Sequence, residues 1–261
     1  MLKAAAAGVA AFYALIGTAA AGPLEPGQWA GSISAGAELP VSGDVHGGAT
    51  APVGDLGPLN PALSGVAAEL RIQARDYDEI YGETTTLGVE FARGLEGDRE
   101  VFASLRYAQA DEGTVQVGTA FVPALNASLP VFGTFGEFQA TTIEGGARQY
   151  FGAGAWRPYV AGRIGAAFVD EINATFRIPD ASITIANAKF YDSSTVLSVG
   201  GDVGLSYAVT DRFSVAAEVG VRYTGELKDD DSSIGGLGLA SINDAGERVS
   251  FPIAVRGRLA F

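Results

Sequence analysis

The chain offers very little that could act as a nucleophile or a general base. It holds no cysteine and one histidine in 261 residues. That leaves no thiolate nucleophile, no thiolate metal site and no disulfide framework. His46 stands in a glycine-rich stretch, between Val45 and Gly47-Gly48. A hydrolase working through an imidazole needs the ring held beside a nucleophile or a water. Nothing around His46 in the sequence suggests such a frame, so it is read as incidental. The phosphate-binding glycine loop, the HExxH pair and the EF-hand loop are all missing. Two acidic runs, Asp76-Tyr77-Asp78-Glu79 and Asp229-Asp230-Asp231 with Glu226, carry the oxygen ligands that calcium or magnesium takes. Such runs are more often solvated loop tips. The expectation is therefore no catalytic residue, no metal and no cofactor.

The informative chemistry is ionic and periodic. Glu90, Glu144, Asp202 and Glu218, with Arg106, Arg148, Arg163, Arg222, Arg256 and Arg258, alternate with apolar residues along their segments. In the last segment Val249, Phe251, Ile253, Val255, Leu259 and Phe261 share one face with Gly257, while Arg256 and Arg258 take the other. Phe213, Val215, Val219, Val221 and Tyr223 oppose Ser214, Glu218 and Arg222 in the same way, and 196–209 repeats the pattern around Asp202. Side chains alternate across a strand, so each segment has one apolar and one polar face.

Further strands read at about 156–169, 138–151, 99–110, 84–93 and 29–39, which makes eight. Short connections fall near 94–98, 152–155 and 210–212; long ones fall near 40–83, 111–137, 170–195 and 225–246. Alternating short turns and long loops is the layout of a transmembrane antiparallel up-and-down β-barrel, an all-β fold. An even strand count puts both termini on the short-turn, periplasmic side. The long loops would be extracellular. Residues 40–65, rich in Gly, Pro and Ala, are expected to be partly disordered. Thr114–Val122 and Thr175–Tyr191 alternate and are expected to continue strands or form small hairpins.

A soluble β-sandwich would alternate as well, but with its apolar face inward. Aromatic placement separates the two. Trp29, Phe91, Phe151, Tyr207, Phe213 and Phe261 would lie near the periplasmic edge, and Tyr107, Phe168, Tyr223 and Phe251 near the outer edge. Membrane barrels carry such girdles at both interfaces.

The stretch Glu144-Gly-Gly-Ala-Arg-Gln-Tyr-Phe151, followed by Gly152-Ala-Gly-Ala-Trp156-Arg-Pro-Tyr159, resembles the strand–turn–strand of OmpA-like and opacity-type small outer-membrane barrels. The terminal strand ending in Phe261 looks like the C-terminal signal that outer-membrane proteins present to their assembly machinery. The resemblance implies eight strands, a Gram-negative outer-membrane location and roles in envelope integrity, adhesion or weak permeability. Unlike full-length OmpA, the chain stops at the barrel, so no cell-wall tether is expected. Outer-membrane lipid and lipopolysaccharide are the partners such a location implies.

The N-terminus fits export. Lys3 precedes a mainly apolar stretch from Ala4 to Gly17, and Ala19-Ala20-Ala21 offers a cleavage site. This reads as a signal peptide over 1–21, with the barrel over 22–261. The formal charge of −13 excludes nucleic acid as a partner, because phosphate binding needs a basic surface.

An eight-stranded barrel is just wide enough for side chains to fill. The inward ionic residues therefore decide between plug and pore. Simple hairpin registers predict that Phe151 faces Trp156, Glu144 faces Arg163, Glu90 faces Phe102, and Asp202 lies diagonal to Arg222. Glu90 would need a partner from another strand. The resulting expectation is a non-enzymatic outer-membrane barrel, structural or ligand-binding through its loops, with the lumen plugged by ion pairs. A small porin-like diffusion channel is the second reading and an envelope hydrolase the third.

Overall fold

The computed structural model describes residues 23–261. The expected signal peptide lies outside the described residues. Sixteen strands form: β1 (Trp29–Ser42), β2 (Asp44–His46), β3 (Ala49–Val53), β4 (Ala68–Ile72), β5 (Arg75–Asp76), β6 (Thr84–Leu95), β7 (Arg99–Ala110), β8 (Gly113–Val122), β9 (Ala127–Phe135), β10 (Phe138–Tyr150), β11 (Trp156–Val169), β12 (Ile172–Ile178), β13 (Ile183–Tyr191), β14 (Ser194–Ala208), β15 (Phe213–Thr224) and β16 (Arg248–Ala260). Eight of them close an antiparallel barrel in the order β1-β16-β15-β14-β11-β10-β7-β6. The sheet is all next-neighbour hairpins plus closure of β1 on β16, the up-and-down arrangement the alternation predicts.

The barrel is apolar outside and ionic inside. Ile33, Leu87, Ile143, Ile164, Val203 and Val255 all present their side chains outward, Ile33 with 71% of its surface exposed. Of the ten aromatic residues assigned to the girdles, nine are exposed on this outer face, and Phe213 is half-buried with its ring over Gly257. In water so much exposed apolar area would drive association. Against hydrocarbon it carries no cost, and closure leaves no unpaired strand edge.

Above the outer rim stands a second body, the cap. Its six-stranded sheet runs β13-β12-β9-β8-β4-β3, with β2 and β5 paired beside it. Hairpins β8–β9 and β12–β13 grow directly out of barrel strands across two-residue junctions: Asp111-Glu112, Gly136-Glu137, Asp170-Glu171 and Asp192-Ser193. Each junction carries a carboxylate. Such a charge is costly in hydrocarbon, so the four junctions mark where the apolar belt ends.

The long loops are therefore largely folded. The expected disorder over 40–65 is corrected by β2, β3 and a 3-10 turn at Pro61–Leu63. These short strands are ordered by what they bury. Val45, Ala51 and Leu56 join Phe135, Ile172, Phe190 and Ile234 in one apolar cluster inside the cap. Each of these side chains larger than alanine contributes about 1.5–3 kcal/mol on burial. The four-residue helix α1 (Tyr77–Ile80), stapled by a capping box between Asp76 and Glu79, turns Tyr77 and Ile80 into the same cluster.

Candidate functional site

Two regions concentrate chemistry: the lumen of the barrel and the interior of the cap. The lumen holds three tiers of charge, built by the inward positions of neighbouring strands, which are odd-numbered on β11 and even-numbered on the other strands that supply charge.

In the lowest tier, Glu100 receives Arg148 at 3.1 Å and Arg258 at 2.5 Å. Arg148 also reaches Glu90 at 2.9 Å. Arg256 lies 3.3 Å from both Glu90 and Glu218. Tyr159 links this tier by donating to Glu218 at 2.8 Å and accepting from Arg256 at 2.9 Å. Arg258 donates to the Tyr150 hydroxyl at 2.6 Å. Leu24, ahead of β1, donates its backbone N–H to Glu100 and packs with Ala92 and Phe102. The start of the described chain thus reaches into the short-turn end of the lumen.

The middle tier is a square. Arg163 donates to Asp202 at 2.8 Å and Arg222 donates to the other Asp202 oxygen at 2.9 Å. Both guanidiniums face Glu144 at longer range, 3.6 and 3.7 Å. Ser198 completes Glu144 with a hydrogen bond of 2.8 Å.

In the upper tier Glu38 pairs with Arg106 and, at 2.8 Å, with Arg248. Arg248 stacks on Phe138, 4.4 Å from the ring centroid, and so joins the lumen to the aromatic floor of the cap.

All ten ionisable residues read from the sequence as inward-facing lie in these tiers. Three partners were missed: Glu38, Glu100 and Arg248. Parity alone would have found them, since each shares its inward face with a residue already singled out or with the polar side of its own strand.

Two registers differ from the simple hairpin expectation. Glu144 stands opposite Gly165, not Arg163, and the hairpin closes on Tyr150 opposite Tyr159 rather than Phe151 opposite Trp156. The turn is wider because Arg157 donates to the carbonyls of Gly152 and Gly154, and both glycines adopt positive φ. Glu90 stands opposite Ser104, not Phe102, because Gly97 and Asp98 take positive φ and shorten the β6–β7 turn. The diagonal between Asp202 and Arg222 is as read, with Asp202 opposite Gly220. Glu90 does take its partners from other strands.

The second region is apolar. The cap encloses a cavity of about 50 Å³ lined by aliphatic side chains such as Leu70, Val131, Ile183, Ile234 and Leu237. His46 borders it, and here the reading from sequence is corrected. The ring is 1% exposed and stacks on Phe135 at 5.7 Å. It is a core residue in β2, not an incidental loop histidine. Burial pushes its pKa below the ordinary value, against a smaller opposing effect of the hydrogen bond between Nδ1 and the Gly47 carbonyl. The imidazole is thus held neutral. Among the described residues no serine, threonine or carboxylate lines the cavity with it.

The acidic runs form no metal-binding cluster among the described residues. Asp230 and Asp231 instead accept from Ser232 and Ser241 backbone N–H groups and shape the turns over 231–242. Gly235–Leu237 forms a 3-10 turn whose Leu237 lines the cavity.

No family model matches the chain, and no curated protein matches it in sequence. Among solved structures it is similar to Neisserial surface protein A, at 14% identity and a TM-score of 0.40, covering 90% of this chain and 97% of that one. It is similar to the attachment invasion locus protein of Yersinia pestis, at 12% identity and a TM-score of 0.37, covering 90% and 100%. It is also similar to the outer membrane protease OmpT from Escherichia coli, at 12% identity and a TM-score of 0.41, covering 90% and 97%. These likenesses assign the chain no activity.

Proposed function

We propose that this chain is a non-enzymatic barrel of the bacterial outer membrane, with a lumen closed by ion pairs and a folded extracellular cap that carries its structural or ligand-binding role. The observation that carries this reading is the inverted barrel. Its outer wall is a belt of exposed aliphatics, and six carboxylates and seven guanidiniums fill the inside. Buried charges are retained only when paired, and separating such a pair costs about 3–5 kcal/mol. A pathway for solutes would have to break several pairs at once. The lumen therefore works as a fixed plug.

Catalysis finds no support in either region. The lumen places its carboxylates against arginines, and the one histidine is sealed in an apolar core. Binding through the cap is the reading its geometry favours. Loops held on a rigid scaffold are where recognition usually resides. The terminal strand β16 serves barrel assembly, and the belt meets outer-membrane lipid and lipopolysaccharide.

The test combines fractionation with conductance. The protein is expected in the outer-membrane fraction, with gel mobility that changes on boiling, and with no stable channel in planar bilayers. A steady conductance of porin size from purified protein would overturn the plug. A folded monomer in detergent-free buffer would overturn the barrel's orientation.

A further inference from the structure

One row of register partners crosses four neighbouring strands of the wall, climbing from Arg256 of the lowest tier to Arg106 of the upper tier. Ser34 on β1 stands opposite Arg256 on β16 and opposite Gly88 on β6; Gly88 in turn stands opposite Arg106 on β7. The order around the wall is thus Arg256, Ser34, Gly88, Arg106. Two long cations flank two of the smallest residues. The small pair leaves a void of about 40 Å³, room for about three water-sized groups. Arg106, Arg163, Arg222 and Arg256 line it, against only Glu90, Asp202 and Glu218.

The charges around this void do not balance. The lowest tier sets Glu90, Glu100 and Glu218 against Arg148, Arg256 and Arg258, and the middle tier sets Glu144 and Asp202 against Arg163 and Arg222. Both are neutral. The upper tier has Glu38 alone for Arg106 and Arg248. Among the described residues the lumen carries one excess positive charge, and it falls on the tier that includes Arg106. Unpaired buried charge is costly. Among the described residues three donors at the void also have no hydrogen-bond partner: Arg106 Nε, Arg256 Nε and the Ser104 hydroxyl one alternate position below Arg106. Arg256 is 2% exposed. The lining carboxylates are already engaged: Glu90 and Asp202 each accept through both oxygens, and Glu218 accepts from Tyr159.

We propose that the lumen binds one small inorganic monoanion of the halide class in the void between Arg106 and Arg256, held by these free N–H donors and the Ser104 hydroxyl. The anion neutralises the plug and completes its hydrogen bonding. The void is too small for sulfate or an organic acid to enter without displacing side chains.

Bromide is the probe. Crystals of the detergent-solubilised barrel grown in sodium bromide should show an anomalous peak in the lumen between Arg106 and Arg256. The thermal midpoint, read as the loss of heat-modifiable mobility, should rise with chloride or bromide and saturate, but not with gluconate at equal ionic strength. Arg106→Gln removes the excess charge and should abolish both the peak and the halide dependence. Gly88→Ala keeps every charge but puts a methyl into the void, 2.7 Å from the Ser34 Oγ, and should weaken halide binding about tenfold by taking space the anion would fill. If Arg106→Gln fails to fold, Gly88→Ala carries the test. An empty or water-filled void in bromide-grown crystals overturns the proposal. So does a peak that survives Arg106→Gln, or a stabilisation that gluconate matches.

Discussion

The barrel and the cap solve opposite problems with the same strands. β9 and β10 are separated by two residues, yet Phe135 at the end of β9 is fully buried in an apolar core, while Ile143 on β10 is exposed and Glu144 beside it is buried. Both strands alternate with period two. What changes across the junction is the surrounding medium. In the cap the apolar face meets the apolar faces of loops, and water covers the rest. In the barrel the apolar face meets lipid, and the polar face must satisfy itself. Alternation alone therefore does not report which face is inside; the neighbours of the charged residues do.

The largest effect should come from unpairing the lumen. Glu100→Leu leaves Arg148 short of one partner and strips the only carboxylate from Arg258. It should cost about 3–5 kcal/mol in urea unfolding from lipid vesicles, far more than its loss of volume would suggest. A cost below about 1 kcal/mol would mean the tiers are solvated and the barrel–cap contrast is overstated.

The matching change in the cap is Ile183→Ala, which truncates a side chain 2% exposed beside the cavity. It should cost about 2–4 kcal/mol. Because the cap has its own core, the loss should show as faster proteolysis of cap loops, while heat-modifiable mobility of the barrel persists. Loss of both together would show that the two bodies unfold as one.

Polarity on the outer surface sharpens the contrast further. Ile164→Arg, near mid-height on the lipid face, should cost about 2–4 kcal/mol in a bilayer. Leu125→Arg, at the exposed β8–β9 tip of the cap, should stay within about 0.5 kcal/mol of wild type. Equal costs at the two sites would erase the distinction between lipid-facing and water-facing surface.

The smallest effect is electrostatic and belongs to the cap. The Asp44 carboxyl hydrogen-bonded to Asp76, with partial burial, holds the Asp76 pKa up at about 6; Asp78 and Glu79 add to it, and Arg75 stands alongside. An aspartate in the unfolded chain titrates near 3.8. The folded cap therefore keeps a proton that the unfolded chain releases. The resulting stabilisation is complete below about pH 4 and fades as pH rises through about 6. The site faces solvent, so the effect is modest. Asp44→Asn should flatten the difference between pH 4 and pH 7 in the proteolysis assay. An unchanged pH dependence would remove the pair from the cap's stability.

The barrel was largely legible because lipid outside and ionic packing inside impose a strict two-residue period over long segments. The bounds at 99–110 and 156–169 coincide with observed strands. Registers were less legible. They depend on turn geometry, and a pair of residues at positive φ, Gly97 and Asp98, shifts the β6–β7 alignment by two. Glu38, Glu100 and Arg248 were readable by parity but lie near strand ends, where the apolar pattern fades. The cap was not legible as a body. Its strands β2 to β5 are short and sit among Gly, Pro and Ala, and their order comes from contacts distant in sequence. Asn60, for example, reaches the Ala181 carbonyl across 121 residues. His46 shows the same limit: its surroundings in sequence are glycines, but in space they are Phe135 and Phe190.

The four two-residue junctions govern how motion of the cap reaches the barrel. Segments so short leave no slack for the cap to swing as a tethered lid. A pull or a twist applied at the β8–β9 or β12–β13 tip is delivered straight along covalent strands into the wall that grips the arginine lattice. The stiffness of that lattice should then set how far the tip can yield, so that cap and barrel respond to a load as one body.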